Sequence, residues 1–540
     1  MLESFKKPKN LIFSLLVLGF LLRIINFSFP SFTSDEARIA YRAFTIAKEG
    51  KDELGRNLPI LFNSLTDYQL PVTSYITVLG VFLFGKTDLG VRIPFTLLDL
   101  GILYLTFKIS QLLTSKKKFS FLSALVLVFS PGLIFLSRIP NDSIVLTFLT
   151  TLLFYLLAKG KPNLILITLV IIMSLLVSKF AWFVISPFVI FTLFFYNTDL
   201  SKKTKIKIST FCLLVTIPIV LFFLQIPQFI RGLSENNFSI FSEITIQNGI
   251  NKLRGQGIDS GWPPFLEKII FNKTHFLIVG LLHWLSNLAP GIYFGQFDKS
   301  GVLGFTQMGA FAKILIIPFF LGLVYLIRYG KREEKLILAF FFILTFPAGF
   351  SYPSNSPVLI ALTLPFAALI IAFGLLNLRK GLVIGIILIM ILEIGLNLLY
   401  LAPEQKNTYN LRPNWVKKLS LDIYEFSKSK PVIVSDDLVS EDIVPFIEWY
   451  NPEAFEANSS NVVYPYKYRE SNIKNISKFN TIKIHGSEQT FSSCKSDENK
   501  IFLSKRDKNK IEILDFRIAR SYKNDLDEEV AFLLEKGFCN

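Results

Sequence analysis

The sequence predicts an α-helical polytopic membrane protein of about 11 transmembrane helices followed by a C-terminal α/β soluble domain, on three observations. Hydrophobic residues make up 51% of the 540 positions, 55 of them phenylalanine, and mean hydropathy is +0.48. Charged residues are only 18%, where a globular domain carries about 25%. Apolar segments of near-span length recur as far as residue 401, and the positive charge collects on alternate connections between them.

A bilayer core about 30 Å thick needs roughly 20 mostly apolar residues per helix. Eleven segments qualify, at 11–27, 89–113, 119–137, 143–158, 163–179, 181–196, 209–226, 311–328, 335–350, 357–378 and 381–400. Pro187, Pro218, Pro318 and Pro365 fall inside them, as membrane helices tolerate when neighbours satisfy the freed carbonyls. Six connections hold 18 Lys and Arg against four Asp and Glu, which is +14 of the formal +16. The short connections on the other side are nearly bare, with Arg138, Asp142 and Lys179. Positive connections stay cytoplasmic, so the amino terminus is expected inside and, after an odd number of spans, the C-terminal region outside. A twelfth span over 274–290 would put the cluster at 328–335 outside, so that stretch is expected to lie along the interface. The first helix lacks a small-residue cleavage site and is expected to be retained.

The expected division is a transmembrane domain, 1–401, with external loops 28–70 and 227–310, and an extracytoplasmic α/β domain, 402–540. The run 71–84 is read as returning to the interface. In the tail the pattern predicts a helix at 415–428, strands at 432–435, 481–485, 501–504 and 511–516, and a last helix near 527–536.

These placements exclude several functions. The +16 lies on cytoplasmic connections and the tail is about −1, so basicity carries no nucleic-acid signal. Three cysteines (Cys212, Cys494 and Cys539) and three histidines give no metal or disulfide framework. Gly80-Val81-Phe82-Leu83-Phe84-Gly85-Lys86-Thr87 matches the expression of a phosphate-binding loop. Its four intervening residues continue an apolar stretch, however, whereas such a loop needs a strand before it and a helix opening at Lys-Thr. It is read as a helix stop, and ATP is not an expected partner.

The first external loop opens with Ser34-Asp35-Glu36 directly after the first span. On a helix, adjacent carboxylates diverge by about 100°, so one can face a site while the other supports it. Ser34 as N-cap of a helix with an acidic first turn explains the same residues, and both readings stand.

Here the chain resembles the GT-C glycosyltransferases of the protein O-mannosyltransferase and lipid A aminoarabinose transferase type. The resemblance rests first on Arg23, Ser34-Asp35-Glu36, Gly50-Lys51-Asp52-Glu53-Leu54-Gly55, Leu58-Pro59 and Tyr68-Gln69-Leu70-Pro71 with Tyr75. It continues in order through Phe84-Gly85, Val91-Arg92-Ile93-Pro94 and Ser137-Arg138-Ile139-Pro140-Asn141-Asp142. Phe271-Asn272-Lys273, His283-Trp284 and Trp449-Tyr450-Asn451-Pro452 follow.

The resemblance implies a GT-C-like fold and inverting transfer from a polyprenyl-phosphate-linked sugar donor to an envelope lipid, glycan or protein acceptor at the outer face. Asp35 would be the general base, with Glu36 positioning it or the acceptor. Asp142, Arg138, Arg92, Lys179, Tyr68 and His283 would bind substrate. No organic cofactor is implied, and a divalent cation is left open. Gln69-Leu70 replaces the Glu-Lys of the aminoarabinose branch, which argues against that sugar. From the residues alone the rivals are a transporter or lipid flippase, a glycan polymerase or ligase using diphosphate-linked donors, and a non-catalytic envelope scaffold. Arg23 and Lys179 also fit snorkelling anchors, and Arg138 with Asp142 fits an ion pair at i, i+4.

Overall fold

The computed structural model describes residues 8–27, 29–53, 55–63, 68–159, 163–196, 200–227, 244–298, 300–351, 357–399, 414–427, 432–435, 444–450, 479–482, 490–492, 500–505, 512–514, 516–523 and 527–536. Helices begin with α1 (Pro8–Ile24), α2 (Ser34–Glu49), α3 (Pro71–Phe84) and α4 (Asp88–Leu113). There follow α5 (Lys117–Val128), α6 (Pro131–Leu136), α7 (Asp142–Ala158), α8 (Leu164–Leu175), α9 (Lys179–Phe191) and α10 (Lys202–Leu224). The next are α11 (Ile244–Asp259), α12 (Pro264–Lys268), α13 (His275–Asn287), α14 (Pro290–Phe294), α15 (Ile316–Tyr329) and α16 (Arg332–Thr345). Then come α17 (Pro357–Ala361), α18 (Leu364–Leu376), α19 (Lys380–Leu399), α20 (Asn414–Ser427) and α21 (Val444–Tyr450).

Helix occupies each of the eleven apolar segments, with local breaks. The third is divided where Ser130 caps α6 and Pro131 takes its first position, since proline is preorganised there and has no N–H to leave unpaired. Among the described residues, four runs are long and apolar enough to cross a membrane: Asp88–Leu113, Lys179–Tyr196, Lys202–Leu224 and His275–Phe294. The last is the stretch expected to lie along the interface. Large apolar side chains on α10, such as Leu214, Ile217 and Leu221, and Leu388 and Leu392 on α19 are exposed. With several such runs, the chain is a multi-pass membrane protein.

The described chain forms two compact units. The first comprises Met1–Phe27, Thr66–Thr73 and Arg92–Tyr400. Its centre is aromatic: Phe154 of α7, Phe188 of α9, Phe340 of α16 and Phe366 of α18 lie with ring centroids 4.8 to 6.5 Å apart. Offset and edge-to-face ring pairs of this kind favour a dry interior. Helices α15 and α18 cross so closely that a Cβ at Gly322 would fall on the Ile370 carbonyl oxygen, and one at Gly374 on that of Pro318. Small residues permit such backbone approach between membrane helices.

The second unit comprises Ser28–Leu65, Ser74–Val91 and Leu401–Asn540. Residues of the first loop and of the α3–α4 junction thus group with the tail. Its sheet has strands β1 (Val432–Ser435), β2 (Phe479–Ile482), β3 (Lys500–Ser504), β4 (Phe516–Lys523) and β5 (Glu529–Lys536). Their spatial order is β2-β1-β3-β5-β4, parallel across the first three and antiparallel at β5. Two further strands, Thr490–Ser492 and Glu512–Leu514, pair in parallel. The expected last helix is strand β5. It lies between two partners with residues 531–534 all buried, so Val530-Ala531-Phe532-Leu533-Leu534 is a continuous apolar run without the alternation that marks a half-exposed strand. The stretch 483–485 of an expected strand lies outside the described residues.

The loop-like expression at 80–87 is helical through Phe84. Gly85 then takes φ 75°, and Thr87 Oγ1 accepts from Gly90 N at 3.0 Å to begin α4. This is a stop and a cap, with no cradle of amides for phosphate.

Candidate functional site

In the first unit, arginines gather around the C-terminal turn of α1. Arg23 is fully buried and pairs with Asp99 of α4. It also donates to the carbonyls of Gly19 (3.0 Å), Val128 (3.2 Å) and Leu127 (3.3 Å). Arg23 is therefore a buried partner of Asp99 and does not snorkel. Arg92, near the start of α4 and equally buried, donates to the Phe27 carbonyl.

Arg138 sits in the connection between α6 and α7 with no exposed surface. Its Nη2 donates to the carbonyls of Leu22 (3.1 Å) and Ile25 (2.9 Å), satisfying orphan acceptors at the end of α1. Its Nε and Nη1 have no hydrogen-bond partner among the described residues. Burial disfavours its charged form, and the positive charges of Arg92 and Arg23 disfavour it further. An anion would relieve both penalties.

The i, i+4 pair of Arg138 with Asp142 is not formed. That spacing brings side chains together within a helix, but here Asn141 is extended and its side chain caps α7 by accepting from Ile144 N at 3.0 Å. Asp142 accepts instead from Thr73 Oγ1.

In the second unit, α2 carries the acidic pair. Thr33, not Ser34, is the N-cap, its side chain accepting from Glu36 N at 3.2 Å. Asp35 is exposed and Glu36 is buried, the divergence that adjacent helical positions require. The far end closes at Gly50, with φ 69° and its N–H on Ile46 O at 2.9 Å. In the turn that follows, Glu53 receives Arg42 through Nε at 2.8 and 2.9 Å and through Nη2. The Arg42 guanidinium lies 4.5 Å from the centroid of the Phe62 ring. Planar fork geometry suits both contacts, and they fix α2 against its own loop.

The structure brings Arg92 and Arg138 together with Arg23. Lys179 is the first residue of α9 and buried, and Tyr68 is half-buried in an extended pair. His283 is half-buried on α13 with Nδ1 unpaired among the described residues. Four residues on, Asn287 is fully buried with both amide atoms unpaired among the described residues. Sequence reasoning passed over Asn287, although its i+4 spacing from His283 places both on one helix face. It also missed Thr73 as partner of Asp142. Among the described residues no three His, Cys, Asp or Glu side chains gather as a metal site.

Apolar helices enclosing a buried arginine cluster, with a second unit of mixed sheet, define the class: a multi-pass membrane protein with a C-terminal strand-bearing region. In sequence the chain matches no family model and no curated protein. In structure it is similar to ArnT from Cupriavidus metallidurans bound to undecaprenyl phosphate, with TM-score 0.51, 10% identity and 97% of each chain covered. The apo state of that protein gives 0.50 at 11% identity with the same coverage. A TM-score of 0.46 at 13% identity relates 83% of the chain to the archaeal oligosaccharyltransferase AglB from Archaeoglobus fulgidus, in complex with an inhibitory peptide and a dolichol-phosphate. The chain spans 64% of that protein's length. The likeness to ArnT shows the fold, and it is GT-C-like.

Proposed function

We propose that the protein is an integral membrane glycosyltransferase that moves a sugar from a polyprenyl-phosphate-linked donor to an envelope lipid, glycan or protein at the outer face, with inversion. The observation that carries this reading is Arg138, a buried guanidinium with two donor nitrogens unspent among the described residues, beside two further arginines. A phosphate is an anion whose oxygens suit such a fork. The shared fold with a protein solved with undecaprenyl phosphate bound agrees with it.

In the proposed reaction Asp35 takes the proton from an acceptor hydroxyl. The acceptor oxygen bonds the anomeric carbon from the face opposite the phosphate, and the bond from that carbon to the phosphate oxygen breaks. The phosphate leaves with the electron pair, stabilised by Arg138 and Arg92. Glu36 positions Asp35 or the acceptor. Asp142 binds sugar or acceptor, Lys179 adds positive charge for the phosphate, and Tyr68 and His283 contact substrate.

The test is transfer from a panel of radiolabelled polyprenyl-phosphate sugars by membranes holding wild type or Asp35→Asn. Asparagine keeps the shape and loses the basicity, so transfer falls by about 10² to 10⁴-fold at equal expression. Full activity in Asp35→Asn sinks the assignment. Ligand flux into liposomes without any sugar transfer selects a transporter, and use of diphosphate-linked donors alone selects a polymerase or ligase.

A further inference from the structure

The tail has no role in the chemistry proposed above, yet its helix α21 packs against α2, the helix that carries Asp35. Both belong to the second unit. One continuous buried cluster contains Phe32, Ala37 and Ala40 of the loop, Phe446 and Trp449 of α21, and Leu419 of α20. Phe32 immediately precedes the Thr33 cap, and Ala37 is the fourth helical residue. An apolar residue in the first position packing near the second fixes the angle at which a chain joins its helix. Here Phe32 is 2% exposed and backed by Trp449, 1% exposed, with ring centroids 6.4 Å apart.

A second contact repeats the clamp. Lys86 Nζ lies 5.6 Å from the centroids of both Phe44, on α2, and Trp449. Lys86, which follows the Gly85 stop of α3, thus links the α3–α4 junction, α2 and the tail. Nearby, Lys417 of α20 lies over the Tyr450 ring at 4.9 Å and 3.4 Å from Asp88 Oδ2.

We propose that the tail is a positioning element for the acidic pair, with Trp449 as its positioning residue: through Phe32 and Lys86 it sets where the first turn of α2, and so Asp35, is held. The proposal rests on Asp35 as the base. Trp449 touches no substrate in this scheme, and a misplacement of about 1 Å at a reacting group can cost about 10²-fold in rate.

The experiment uses the full chain in membranes with two readouts, sugar-transfer kinetics and amide hydrogen exchange over residues 34–40. Trp449→Ala is expected to lower kcat by about 10- to 100-fold with donor KM unchanged, and to speed exchange in the first turns of α2. Trp449→Phe, which keeps an aromatic ring against Phe32, restores both. Lys86→Met is expected to lower kcat by a smaller factor, with the same exchange signature, and it carries the test if Trp449→Ala does not accumulate. Unchanged kcat, or unchanged exchange over 34–40, in the variant that accumulates overturns the proposal. If Asp35→Asn is fully active while Trp449→Ala still loosens α2, the base assignment fails and the clamp itself stands.

Discussion

Arg138 spends one nitrogen on the end of α1 and keeps two unspent among the described residues, although it is fully buried. A guanidinium that served only to cap would not need burial beside two like charges, because that arrangement raises its cost. On the proposed reading, an incoming phosphate would convert that cost into binding. Arg138→Gln, which removes the charge and the fork, is expected to weaken binding of a polyprenyl phosphate at least about tenfold. Arg138→Lys, a point charge without the planar pair of donors, falls between. Titration of purified protein with undecaprenyl phosphate reads both, and wild-type affinity in both variants would leave Arg138 a helix cap alone. At this scale the sequence exposes adjacent residues better than distant ones. Asp35 and Glu36 stand out because neighbours on a helix must diverge, and the structure has one exposed and one buried. Arg23 and Asp99 are 76 positions apart, so nothing local announces that one neutralises the other. Arg138 and Asp142 mislead in the opposite sense, since the backbone between them is not helical.

Elements follow the same logic through packing. The crossing of α15 and α18 depends on Gly322 and Gly374, each facing a backbone carbonyl that cannot rotate away. Gly374→Ala therefore forces the helices apart, whereas alanine at an open position such as Gly385 meets nothing. Overpacking of this kind costs about 1–3 kcal/mol. The melting temperature of detergent-solubilised Gly374→Ala is expected to drop by several degrees, with Gly385→Ala unchanged; equal melting temperatures would mean that the crossing can relax. Helices of the membrane part are legible because length and apolarity suffice to mark them. Strand β5 was not legible. Its acidic start, Asp527-Glu528-Glu529, imitates a helix N-terminus, and its register between β3 and β4 is set by partners far away in sequence. The clamp of α21 on α2 was hidden for the same reason: Trp449 reads as a short motif, and only folding reveals that its ring backs Phe32.

For the whole molecule, orientation turns on one stretch. Six connections carry +14 of the formal +16, and a cytoplasmic placement of all six requires that His275–Phe294 not cross the membrane. By length and apolarity that run is as able to cross as the three other long helices, so hydropathy and charge give opposite answers. Charge bias is counted over short connections near span ends, and Arg328, Lys331, Arg332 and Lys335 form such a connection. Translocating them would work against that bias, while α13 and α14 are separated by the break at Leu288 and Ala289. A broken apolar run is more easily accommodated at the interface than a continuous one. Single cysteines at Lys117, Lys331, Asn57 and Lys523, in a background with Cys212, Cys494 and Cys539 replaced by serine, separate the two answers. With a membrane-impermeant maleimide on intact cells, Asn57→Cys and Lys523→Cys are expected to react, and Lys117→Cys and Lys331→Cys only after permeabilisation. If His275–Phe294 does cross, positions 331 and 523 exchange behaviour while 57 and 117 keep theirs. That outcome would put the tail on the cytoplasmic side with Asp35 still outside, and the proposed clamp of Trp449 on α2 could not form in the membrane.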